Sequence, residues 1–146
     1  MKSMLVSVLG AALASLCSWT TVSAHHSTVA FYDNTSWMAI EGTVVKVFFQ
    51  NPHVSLQLEV VSEDGETEIW AVETGHRAGL EREVEDQWLP TTLQPGDSLI
   101  ALGHPGKRTR TSISAQGLTR PSDGWRWRWA QALESAPPEL RDIYEN

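Results

Sequence analysis

Between Val54 and Val61 the chain alternates, with Val54, Leu56, Leu58 and Val60 apolar and Ser55, Gln57 and Glu59 polar. A period of two predicts a strand with one buried face. The run before it, Trp37–Phe49 (WMAIEGTVVKVFF), is β-branched and aromatic almost throughout and predicts one long strand. Gly42 inside that run marks a bulge or a coiled bend. Gln50-Asn51-Pro52-His53 joins the two strands, and Asn followed by Pro is the chemistry of a type I turn. Glu63-Asp64-Gly65-Glu66 reads as a hairpin turn on its Asp-Gly pair, and leads into a third strand, Thr67–Glu73, carrying Ile69, Trp70 and Val72. After Thr74-Gly75 the spacing of Leu80, Val84 and Trp88 changes to i, i+4, i+8, which predicts a helix that Pro90 ends. Leu93-Gln94-Pro95-Gly96-Asp97 is a tight turn into a fourth strand, Ser98–Leu102. A loop from Gly103 to Thr109 and a fifth strand over roughly Arg110–Thr119 follow.

Strand, strand, strand, helix, strand, strand is the layout of a mostly β fold, a small five-stranded OB-like barrel with one helix between strands 3 and 4. Strand order alone does not fix the pairing, so another small α+β sheet stays open. Trp125-Arg126-Trp127-Arg128-Trp129 alternates indole and guanidinium, as an edge strand would, with the three indoles on one face. The domain is therefore read as residues 37–129, preceded by a lead-in over 25–36. Residues 130–146, with Pro137-Pro138, read as a polar C-terminal tail with one or two helical turns at most.

The first residues change where the protein is expected to work. Lys2, the apolar run Met4–Leu16 and the small residues Val22-Ser23-Ala24 have the form of a secretory signal over residues 1–24. The apolar run, about 13 residues, is short of the roughly 20 that span a bilayer, so no membrane span is expected once the signal is removed. Cys17 follows Leu16, which is not the small residue a lipoprotein site wants. The expected location is periplasmic or secreted. The only cysteine, Cys17, leaves with the signal, so the mature chain has neither disulfide nor thiolate chemistry. Lys+Arg 11 against Asp+Glu 18 gives a net charge of -7, and loss of Lys2 makes it −8. A balance that negative argues against nucleic acid as a partner. No H-E-x-x-H, C-x-x-C, Gly-rich phosphate loop or G-x-S-x-G elbow is present.

What remains is histidine. His25 and His26 would open the mature chain, and a terminal amine with imidazole chelates Cu, Ni or Zn; two histidines at a polar end are the plainer alternative. His53 falls in the turn between strands 1 and 2, His104 in the predicted loop between strands 4 and 5. An OB-fold brings those two loops to one ligand face. Together they would form a two-imidazole metal site, or with Asn51, Lys107 and Arg108 clamp a small anion; singly, each is an ordinary turn residue. His76, beside the helix start, is read as structural or solvent-exposed. Glu81, Glu83, Glu85 and Asp86 read as a solvated helix face.

Ala24-His25-His26-Ser27 after a signal, Gly42-Thr43-Val44 with Lys46-Val47, Asn51-Pro52-His53-Val54, Trp70-Ala71, and Leu93-Gln94-Pro95-Gly96-Asp97 before a strand ending in Gly103 resemble a family of small exported bacterial proteins catalogued as a domain of unknown function. The resemblance runs from about Ala24 to Thr119, and implies a one-domain periplasmic or secreted protein with no activity or cofactor attached. The reading that follows is an exported binding module without catalysis of its own. Its metal ligands are drawn from His25, His26, His53 and His104, with copper the first metal to consider, and its small ligand would meet Asn51, His53, His104, Lys107 and Arg108. Two further readings stay open: an accessory subunit that offers the Trp125–Trp129 strand to a periplasmic partner, and a copper-dependent oxidase built on His25.

Overall fold

The structure, a computed structural model, describes residues 28–82, 88–129 and 132–145. Six strands form one sheet: β1 (Met38–Phe48), β2 (Ser55–Val61), β3 (Thr67–Glu73), β4 (Ser98–Pro105), β5 (Ser112–Arg120) and β6 (Trp125–Arg128). Their order is β3-β2-β1-β4-β5-β6, and a parallel pairing of β3 with β5, Ala71↔Ser112 to Glu73↔Ser114, closes the first five into a barrel. This is the OB-like barrel that the strand order predicts.

β1 makes the closure possible because it serves two neighbours. Its first half, Met38–Thr43, pairs with β4 and its second half, Thr43–Phe48, with β2. Between the halves the strand must curl, and a Cβ on Gly42 would sit 2.5 Å from the Glu59 carbonyl oxygen, so the bend needs glycine. The register shift itself falls between Val44 and Lys46, just beyond the expected position. Alternation then fills the interior: Val54, Leu56 and Leu58 from the β2 segment, Val72, Leu99, Ile113 and Leu118 are all buried, and Leu80, Trp88 and Leu93 join the same core.

Four local expectations are corrected. The Asn51–Pro52 peptide is cis and the chain passes through a bend, not the type I turn expected at 50–53. The helix between β3 and β4 spans only Arg77–Leu80 among the described residues; Val84 lies outside them. β4 runs on to Pro105, so Gly103, His104 and Pro105 are strand residues paired with Ala115, Ser114 and Ile113 and not part of a loop. The C-terminal segment is more than a polar extension. A 3₁₀ turn (Ala132–Ser135) and a helix (Pro138–Glu145) bring Leu133 and Tyr144 onto Leu102, with Trp37, Ala39 and Leu140 around them. Leu102 faces outward, since Ala101 beside it faces the barrel core. The helix thus covers apolar surface that the barrel itself would leave wet.

β6 pairs with the second half of β5, Gly117↔Arg128 to Arg120↔Trp125, and is an edge strand. Trp127 is fully buried, Trp125 and Trp129 lie against the same core, and Arg128 is exposed. No described helix is long and apolar enough to cross a membrane.

Candidate functional site

At the end of β3 the hairpin register places three polar side chains together. Ser55 pairs with Glu73, and the pairing continues past the strands, with Val54 N–H donating to the Gly75 carbonyl and Thr74 N–H to the Val54 carbonyl. His53 therefore lies beside Glu73, and its Nδ1 is 2.5 Å from Glu73 Oε1. Tyr32, brought in by a bridge between its backbone and Gly106 of the β4–β5 connection, donates its hydroxyl to Glu73 Oε2 at 2.9 Å. Burial, and then the hydrogen bond to Glu73, push the Tyr32 phenol well above its ordinary range, so it remains the donor. Glu73 thus receives one donor on each oxygen.

A carboxylate can only accept, so His53 Nδ1 must carry the proton it shares with Glu73. In the neutral ring the lone pair is then on Nε2. His104 obeys the same logic from another element. Its Nδ1 is 2.8 Å from the Ser36 carbonyl oxygen, an obligatory acceptor, so its lone pair is also on Nε2. The Trp37 ring lies against it at 4.4 Å between centroids. Neither Nε2 has a hydrogen-bond partner among the described residues.

Ser36 is itself held by a turn. Asp33 accepts from the Thr35 hydroxyl at 2.6 Å, the Ser36 hydroxyl at 2.7 Å and the Thr35 N–H at 3.1 Å. Those bonds, the Thr35 hydroxyl first, lower the Asp33 carboxyl from 3.8 to about 2. A carboxylate lowered on folding stabilises the folded turn above its ordinary pKa and loses that contribution as pH falls through the lowered value. The Thr35 amide proton, which donates to that carboxylate, is therefore expected to shift in NMR with a midpoint near pH 2. A midpoint near 4 would show that the turn does not grip the carboxylate.

Two cavities meet at the His53–Glu73 pair. One, of about 360 Å3, is a cleft to which His53, Glu73, His76 and His104 all contribute, floored by Thr74, Gly75 and Ser114. The other, of about 410 Å3, lies between Phe31, Tyr32, Pro52 and Ala71, with Arg108 at its side. Of the residues expected at a ligand site, His53 and His104 thus share a cleft although His104 comes from a strand. Arg108 lines the second cavity. Lys107 lines neither, because its Nζ donates to the Val29 carbonyl at 2.8 Å, and exposed Asn51 lines neither. His25 and His26 lie outside the described residues. Among the described residues no group of three or more His, Cys, Asp or Glu side chains is arranged to hold a metal ion. The sequence reading missed Glu73, Tyr32 and the place of His76 in the cleft. Glu73 and His76 were within reach, because the register set at the Asp64-Gly65 turn puts His53 opposite Gly75.

A family model described as a family of unknown function, DUF6152, matches residues 12–115. No curated protein matches the chain in sequence. Among solved structures it is similar to the mitochondrial single-stranded DNA binding protein Rim1 of S. cerevisiae, at 11% identity over 58% of this chain and 92% of that one, with TM-score 0.44. It is similar also to the Stn1–Ten1 complex of S. pombe (13% identity, 75% of this chain and 74% of that one, TM-score 0.43). The second single-stranded DNA binding protein of Mycobacterium smegmatis, SSBb, is a third (11% identity, 60% and 90%, TM-score 0.40). The exclusion of nucleic acid drawn from net charge does not hold. Charge summed over a chain does not describe one face of it, and Lys107, Arg108 and Arg110 follow one another in the β4–β5 connection of this acidic protein.

Proposed function

The chain belongs to the DUF6152 family of unknown function, and we propose that it is an exported binding module that holds a transition-metal ion between His53 and His104. The observation that carries this reading is the pair of imidazoles lining one cleft, each with its Nδ1 proton engaged by a fixed acceptor and its Nε2 free. Metal-bound histidines have this arrangement, since an acceptor on the far nitrogen sets the tautomer, aims the ring and raises ligand basicity. Export is supported by the pattern of residues 1–24. Copper is the first metal to test, because it tops the divalent affinity order for imidazole sites.

Calorimetric titration of the purified protein with Cu(II) at neutral pH is expected to show about one equivalent bound. Replacing both His53 and His104 by alanine is expected to lower the affinity about 100-fold or more, and Glu73→Gln, which keeps the shape and removes the charge, by about 10- to 100-fold. Binding that survives the double replacement sinks the cleft site. His25→Ala and His26→Ala, run in the same series, show whether those positions add ligands. Under the alternative reading as an accessory subunit, a partner would meet the outer backbone edge of β6, since the indoles of Trp125, Trp127 and Trp129 pack against the core.

A further inference from the structure

The cavity of about 410 Å3 beside Phe31 is lined by His53 but not by His104, and its walls have a chemistry of their own. Its size falls within the roughly 300–1,000 Å3 of small-molecule sites. Phe31 is 55% exposed, yet it is displayed from a pinned backbone. Its N–H donates to the Thr28 carbonyl, its carbonyl accepts from Lys107 N–H, and the next residue bridges to Gly106. Pro52, Tyr32 and the His53 ring supply further flat, stiff walls. Such walls lose little rotamer freedom when they close on a ligand.

The polar groups divide into spent and unspent. Both Glu73 oxygens are taken by Tyr32 and His53, and the Ser112 hydroxyl donates to the Thr109 carbonyl. Lys107 is committed to Val29. Arg108 is exposed and makes no hydrogen bond or ion pair among the described residues, so it is the one uncommitted cation on the cavity wall. A single anionic group is what such a wall can pair, and the Glu73 carboxylate disfavours a second one.

From these walls and this charge we propose that the cavity binds a small aromatic monocarboxylate, its ring against Phe31 and Pro52 and its carboxylate on Arg108. A planar carboxylate suits the guanidinium because two parallel N–H···O bonds can form. The site shares His53 with the metal cleft as a wall residue only, so it does not depend on metal.

The test is calorimetric and NMR titration of the metal-free full chain with benzoate, benzyl alcohol and acetate. Benzoate is expected to bind with a Kd on the order of 0.1–1 mM, at least about 10-fold tighter than either of the others. Arg108→Gln is expected to erase the lead of benzoate over benzyl alcohol, and Phe31→Ala to weaken both ring ligands about 10-fold, while both variants bind Cu(II) as the parent does. Benzoate binding that equals acetate binding, or that ignores both substitutions, overturns the proposal. So does a thymidine oligonucleotide that displaces benzoate through the same two residues at lower concentration, since the ring-and-anion chemistry would then serve a strand. Loss of copper binding with benzoate binding intact would count against the metal reading alone.

Discussion

Trp127→Ala is expected to destabilise the fold by about 3–5 kcal/mol, the range for deleting a buried tryptophan. Trp127 is fully buried on β6, with Trp88 at 5.8 Å and Trp129 at 5.5 Å between ring centroids. Trp88 in turn meets Trp125 at 5.9 Å and Phe49 at 6.2 Å in edge contacts. Removing the Trp127 ring leaves Trp88 and Trp129 facing a void that neither can fill without leaving its own contacts. The indole Nε1 has no hydrogen-bond partner among the described residues, so the cost is one of packing. For a domain of this size the melting temperature should fall by on the order of 10 °C or more, read by circular dichroism. Arg128→Ala, on the exposed face of the same strand, should stay within about 0.5 kcal/mol. A loss below 1 kcal/mol for Trp127→Ala would mean that β6 is an appendage and not part of the core.

The barrel was legible because its signals are local. The alternation over Val54–Val60, the Asp64-Gly65 turn and the strand-strand-strand-helix-strand-strand order each follow from a few adjacent residues. The indole face of β6 was legible for the same reason. The covering of Leu102 was not, because it depends on Leu133 and Tyr144, some thirty to forty positions away. Nor was the end of β4. Gly103-His104-Pro105-Gly106 carries the residues of a turn, but β5 offers partners as far as Ile113, and the pairing overrides the local preference.

The candidate site shows the same division. His53 and His104 stand out in the sequence because histidine is scarce and both sit near loops that this fold gathers. Their partners do not stand out, since Glu73 is one of many acidic residues and Ser36 acts through its backbone carbonyl. Lys107 and Arg108 are adjacent cations that a sequence treats alike. Only the position of the Val29 carbonyl separates the committed one from the free one.

Gly103→Ala is expected to cost about 3 kcal/mol, and to damage the candidate metal site along with the fold. The register of β4 against β5 shifts between Leu102 and Gly103, and a Cβ at Gly103 would lie 2.1 Å from the Ser114 carbonyl oxygen and 2.9 Å from the Ala115 Cα. Both obstacles are backbone, so no rotamer relieves them and the strands must part, at the upper end of what overpacking usually costs. The next residue is His104, paired with Ser114. Any separation there moves the imidazole away from the Ser36 carbonyl that fixes its tautomer. Chemical denaturation should therefore show a lower midpoint, and copper titration a loss of about 10-fold or more at temperatures where the variant is still folded. Leu99→Ala, a core truncation on the same strand but at the far end from His104, should match it in stability and keep the parent's affinity. Equal copper affinity in the Gly103 variant would show that the glycine serves the barrel alone.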